Sequence, residues 1–127
     1  WRRITALPAF WVGLLYDEEA LSAAEALTAD WRYDDVMHMR GTVPVMGLKT
    51  PWRESTLLDV AREAVKISRT GLKKRARLNA DGYDESVFLA PLEEVVARGS
   101  TLAEVMLSEY HSSWGGSVEP AFMAYAY

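Results

Sequence analysis

The chain has 127 residues, half of them apolar and a quarter charged, with a formal net charge of −4 and no Cys. That length and composition fit one domain with one continuous core. The acidic balance argues against a nucleic-acid partner, and the lack of Cys removes disulfides, Cys-based zinc sites and a Cys nucleophile, with a cytoplasmic setting as the expectation.

Trp1 to Asp17 reads WRRITALPAFWVGLLYD, in which Arg2 and Arg3 precede an uncharged run from Ala6 to Tyr16. A bilayer-spanning helix needs about 20 apolar residues, so this run does not cross a membrane. No small-residue cleavage site follows it, as a signal peptide would require. It reads as a buried helix from about Leu7 to Tyr16, with Pro8 in the first turn, where its missing N–H costs nothing. Trp1 to Thr5 reads as the tail of a strand arriving from a neighbour, and the whole chain as the end of something longer.

Asp17 caps a second helix, with Glu18 and Glu19 favoured in its first turn by the helix dipole. Leu21, Ala24, Leu27 and Trp31 share one stripe of it. Asp34 and Asp35 open a short third helix that stops near Gly41. Pro44, Gly47 and Pro51 make Val43 to Trp52 a loop.

Thr56 opens the longest helix, with Asp59 in a capping-box position, and the helix ends near Asn79. Its apolar half holds Leu57, Leu58, Val60, Ala61, Ala64, Val65, Ile67 and Leu72. Ser68 and Gly71 fall within that half. A helical Gly costs about 1 kcal/mol relative to Ala, which points to another element approaching closely there. A further helix spans about Pro91 to Arg98 and starts as early as Ser86, with Gly99 as its stop. Thr101 and Glu104 form a capping box for a helix that reaches about Trp114. Glu119 to Tyr127 is a last short amphipathic piece. The sum is an all-α chain of six or seven helices without a confident strand.

Little in this pattern carries chemistry. His38 and His111 fall on polar faces, no HExxH spacing exists, and no carboxylate pattern makes a metal cage with either. Arg69, Lys73, Lys74, Arg75 and Arg77 suit an anion contact, yet a helix C-terminus favours cations without any ligand. An anion-binding regulatory role through Lys73, Lys74 and Arg77 is the weakest of three readings. Arg75 and Glu109 point into apolar arcs, and charges are almost never buried unpaired. Each is expected to meet a counter-charge, the other residue being one candidate, or Arg75 is expected to reach a missing domain. Arg2 and Arg3 are the leading candidates for a substrate- or nucleotide-proximal role, because Arg recognises carboxylate and phosphate in a bidentate way. Trp1, Trp52, Arg53 and Arg75 are candidate interdomain contacts, with Trp52 expected to be exposed. There is no phosphate loop, nucleophile elbow or dinucleotide fingerprint. No catalytic residue and no metal ligand is assigned within the chain.

The segment WRRITALPAFWVGLLYDEEAL resembles the C-terminal part of plant-type and alphaproteobacterial glutamate–cysteine ligases. The likeness continues through TADW (Thr28 to Trp31), VPVMGLKTPWR (Val43 to Arg53), FLAPLEEVVARG (Phe88 to Gly99) and YHSSWGGSVEPAF (Tyr110 to Phe122). It implies a parent enzyme that joins the γ-carboxylate of L-glutamate to the amine of L-cysteine with ATP and Mg²⁺, the first step toward glutathione. It also implies an α+β fold similar to glutamine synthetase. Residues 1–127 would then be a single helical C-terminal segment of a larger catalytic domain. The segment itself would bind no cofactor and act as structural support, with the remainder of the ligase as its partner. Two departures stand out: Thr5 replaces the Cys that forms half of a regulatory disulfide in plant members, and Ala90 replaces the usual Asp before Pro91. Thr5 cannot form that disulfide, which favours a bacterial source. The competing reading is a non-enzymatic helical interaction module. A free-standing bundle of that kind would hide its aromatic residues, whereas a supporting segment would leave Trp1, Phe10, Trp11 or Trp52 exposed.

Overall fold

Ser68 and Gly71 are where the architecture is decided. In the computed structural model, which describes residues 2–126 and the side chains of residues 3–126, they lie at the crossing of the first and longest helices. Helix α1 (Arg2–Leu15) packs along α4 (Leu57–Arg75) more extensively than any other pair of elements. Ser68 is fully buried and its Oγ donates to the Phe10 carbonyl at 2.9 Å. A Cβ built on Gly71 would lie 2.9 Å from the Ala20 Cβ and 3.0 Å from the Gly13 carbonyl carbon. The small residues in the apolar half of α4 therefore let two backbones approach, as their composition predicts.

Around that crossing, α2 (Glu18–Thr28) lies against α4, and Leu14, Ala20 and Ile67 form a buried cluster flanked by Phe10, Ala23, Ala24 and Leu27. The Asp17 carboxylate accepts from the Ala20 N–H at 2.9 Å, the expected N-cap. Helix α3 (Tyr33–Met46) buries Met39, and a 3₁₀ turn (Gly47–Lys49) leads to a two-residue hairpin, β1 (Pro51–Trp52) with antiparallel β2 (Ser55–Thr56). A second 3₁₀ turn (Glu85–Leu89) covers α1 and α4 with the fully buried Leu89 and runs into α5 (Ala90–Arg98). Helices α6 (Leu102–His111) and α7 (Glu119–Ala124) complete the seven helices among the described residues. The fold is all-α apart from the hairpin, as expected. Among the described residues, no helix is long and apolar enough to cross a membrane.

Both capping boxes form: Asp59 Oδ2 accepts from the Thr56 N–H at 3.1 Å, and Glu104 Oε2 from the Thr101 N–H at 2.8 Å. Gly99 ends α5 with φ +69, in the left-handed region.

Several boundaries differ from the sequence reading. The strand expected before Thr5 is helix from Arg2 onward, so Pro8 sits inside α1 rather than in its first turn. Its ring removes one backbone donor, and packing on α4 holds the helix through the gap. Helix α3 passes both Gly41 and Pro44 and stops only at Gly47, whose φ is +56. Gly41 and Pro44 each weaken a helix, the first through backbone entropy and the second by removing a backbone donor, yet α3 continues through both. Helix α4 ends at Arg75, with Ala76 in a left-handed cap, rather than near Asn79. Helix α6 ends at His111, short of Trp114.

Candidate functional site

Arg3 and Trp52, the two strongest sequence candidates with described side chains, occupy different clefts. Arg3 lies in the first turn of α1, and its guanidinium stands 5.3 Å from the Tyr125 ring centroid, in cation–π range. The two help to line a cleft of about 240 Å³, with Arg98 and Glu94 at its polar edge and Ala6, Leu92, Val95, Leu102 and Val105 as its apolar wall. The Tyr125 hydroxyl donates to Glu109 Oε2 at 3.3 Å. Burial and the Glu109 carboxylate raise the Tyr125 phenol above its ordinary value, with Arg3 and Arg98 pulling the other way. Sequence reasoning missed Arg98 and Tyr125. Arg98 reads locally as a helix-end cation, and Tyr125 as part of an amphipathic tail. Trp1 and the side chain of Arg2 lie outside the described residues.

Trp52 is not exposed. It is buried, and its ring packs 5.0 Å from that of Trp31. The loop expected at 43–52 is instead the end of α3, a 3₁₀ turn and a hairpin strand, and the hairpin folds the indole inward. Arg53 follows at the first position of the two-residue turn with φ +53, a conformation that strains a side chain by roughly 1 kcal/mol or more. An ion pair to the Asp30 carboxylate and stacking over Trp52 at 5.1 Å offset that strain. The pair holds the Asp30 carboxyl below the usual range, chiefly through its hydrogen bond from Arg53. An open cleft of about 550 Å³ runs between Trp31, Trp52, Arg53 and Asp59.

Arg75 does meet a counter-charge, but it is Glu85 rather than Glu109. Its Nε donates to Glu85 Oε2 at 3.0 Å, with both side chains largely shielded, and its guanidinium lies 5.3 Å from the Tyr16 ring centroid. Glu109 finds a hydroxyl, that of Tyr125. Arg69 pairs with Glu93 and Lys74 with Glu19, which accounts for two of the basic group without a ligand. His38 and His111 are exposed. Among the described residues no three His, Asp or Glu side chains converge as a metal site would need.

Ile4, Leu7, Trp11 and Leu15 are spaced to share one face of α1, and each is at least half exposed. Beside them an apolar groove of about 390 Å³ runs between α1, α2 and α4, lined by Phe10, Trp11, Leu14, Leu21 and Leu27. Of the four aromatic residues that discriminate a supporting segment from a free-standing bundle, Trp11 is exposed, Phe10 half-buried and Trp52 buried.

Comparison with known proteins gives a consistent result. The pattern that defines Glutamate-cysteine ligase family 2 (GCS2) matches residues 1–124. A chloroplastic glutamate–cysteine ligase of Arabidopsis thaliana is 48% identical over 122 residues, 96% of this chain and 22% of that protein. The chloroplastic enzyme of Brassica juncea is 47% identical over 127 residues, 100% of this chain and 24% of its own length. A chloroplastic ligase of Oryza sativa subsp. indica is 44% identical over 127 residues, 25% of its length. The chain thus spans about a quarter of the curated relatives it matches. These names overturn the cytoplasmic expectation, since the relatives are chloroplastic. A lack of Cys reports disulfide use and does not tell one reducing compartment from another.

Proposed function

The chain belongs to glutamate–cysteine ligase family 2, and on that premise we propose that it is the helical supporting segment of a larger catalytic domain. That domain would join the γ-carboxylate of L-glutamate to the amine of L-cysteine at the expense of ATP, the first step of glutathione biosynthesis. The exposed α1 stripe carries this reading: Leu7 and Trp11 are 56% and 52% exposed on a helix whose other face is already packed. A contiguous apolar face of this kind marks a contact surface, and the relatives are about four times as long as this chain. The remainder of the ligase is the partner we assign to it.

Activating a carboxylate with ATP requires cationic groups and a metal around the transferred phosphate. We assign the groups that hold ATP and Mg²⁺ to the rest of the ligase, with Arg2 and Arg3 as the residues here nearest the chemistry. Thr5, in place of the Cys of plant members, favours the alphaproteobacterial branch of the family over the plant branch.

The test is ATP-dependent γ-glutamylcysteine formation by the full-length protein. Product that requires L-glutamate, L-cysteine, ATP and Mg²⁺ together is the expected result. No product under those conditions would overturn the ligase reading and favour the helical interaction module.

A further inference from the structure

The cleft between the start of α1, α5, α6 and the end of α7 combines two cations with an aliphatic wall. Cations elsewhere that lean on another element meet carboxylates: Arg69 on Glu93, Lys74 on Glu19, Arg75 on Glu85. Arg3 and Arg98 line this one cleft together with the Glu94 carboxylate, and neither Arg is held in an ion pair with another described residue. The Tyr125 face holds the Arg3 guanidinium at 5.3 Å, while its hydroxyl is taken up by Glu109. Leu92, Val95, Leu102 and Val105 line the same cleft.

We propose that this cleft binds a small aliphatic carboxylate, with the anion at Arg3 and Arg98 and the hydrocarbon on the Leu and Val wall. A few convergent polar groups over an apolar lining are the usual make-up of a ligand site. At about 240 Å³ the cleft falls below the roughly 300–1,000 Å³ of drug-sized pockets, so the ligand is small. The aliphatic wall distinguishes it from a phosphate site, since inorganic phosphate has no apolar part to bury. Arg supplies charge and directed donors at once, which suits a carboxylate. This inference rests on the reading of Arg3 as ligand-facing, and it requires neither ATP nor ligation.

The experiment is saturation-transfer NMR on the full-length protein with 4-methylpentanoate as the probe. The comparison arms are its neutral amide, an equal concentration of inorganic phosphate as competitor, and the variants Arg3→Gln and Arg98→Gln. Expected are methyl saturation with the carboxylate only, no displacement by phosphate, and at least tenfold weaker binding in each variant. Equal binding of the amide, displacement by phosphate, or unchanged binding in both variants would overturn the proposal, as would no binding to the unsubstituted protein. The ligand series decides the matter if a variant fails to fold. Absent binding alongside intact γ-glutamylcysteine formation sinks this inference alone, and the reverse result sinks only the ligase reading.

Discussion

Gly71 of α4 faces the Gly13 backbone of α1, so closely that a Cβ on Gly71 would lie 3.0 Å from the Gly13 carbonyl carbon. Backbone on one side and the Ala20 Cβ on the other leave no flexible side chain to yield.

Gly71→Ala would raise helix propensity by about 1 kcal/mol, yet it must push α1 off α4. Overpacking of a tight core costs about 1–3 kcal/mol and more where backbone must move, so net destabilisation of about 2 kcal/mol is expected. Urea unfolding of the full-length protein measures it. A Gly71→Ala variant as stable as the original would show that the crossing is looser than described.

Arg75 and Glu85 form a largely shielded ion pair, with side-chain exposures of 24% and 32%. Removing one partner leaves the other charge shielded and unmatched, which costs more than the pair contributes. Glu85→Gln is expected to destabilise by about 1–2 kcal/mol. Arg75→Met, made alone and together with Glu85→Gln, completes the set, and the double variant is expected to lose less than the two single losses added together. A double-mutant cycle reads the coupling, and a coupling of zero would contradict the assignment.

Glu104 sits at the start of α6, where the Thr101 N–H, Lys49 and the Thr101 hydroxyl hold its carboxyl down to about 2. Its native value lies below the unfolded one. The stabilisation it gives is therefore complete above about pH 4.5 and disappears as pH falls toward 2. Denaturation of the original protein and Glu104→Gln at several pH values should show a stability gap at pH 6 that closes by about pH 2. A gap that stays constant across that range would exclude the carboxylate as its source.

Much of this was legible locally. Thr56 with Asp59 and Thr101 with Glu104 announce helix starts, because a cap is completed within four residues of chain. Ser68 and Gly71 announce a close crossing, because small residues on an apolar face have few other uses. What escaped depends on distant partners. The burial of Trp52 requires Trp31, which lies on the far side of α3 in the sequence. The partner of Arg75 is set by the 3₁₀ turn at 85–89, for which no periodic pattern exists. The Arg3 cleft joins residues nearly the whole chain apart, and nothing near Arg98 or Tyr125 signals it. Gly41 and Pro44 signal a helix end locally, yet their cost is small enough for α3 to run on to Met46.

The exposed α1 stripe makes its own demand on the full-length protein. There, Trp11 should react with hydroxyl radicals as slowly as the buried Trp52, because the remainder of the ligase would cover it. Burying such side chains contributes about 1.5–3 kcal/mol each, a large share of the stability of any domain. Rapid oxidation of Trp11 beside a protected Trp52 would mean that the stripe faces water.

The central claim is a division of labour, with supporting helices in these 127 residues and the reacting groups outside them. The most direct measurement supplies ATP, Mg²⁺, L-glutamate and L-cysteine to the isolated chain and to the full-length protein, and follows γ-glutamylcysteine in both. The account predicts turnover by the full-length protein and none above background from the chain alone. Turnover by the isolated chain at a comparable rate would contradict it.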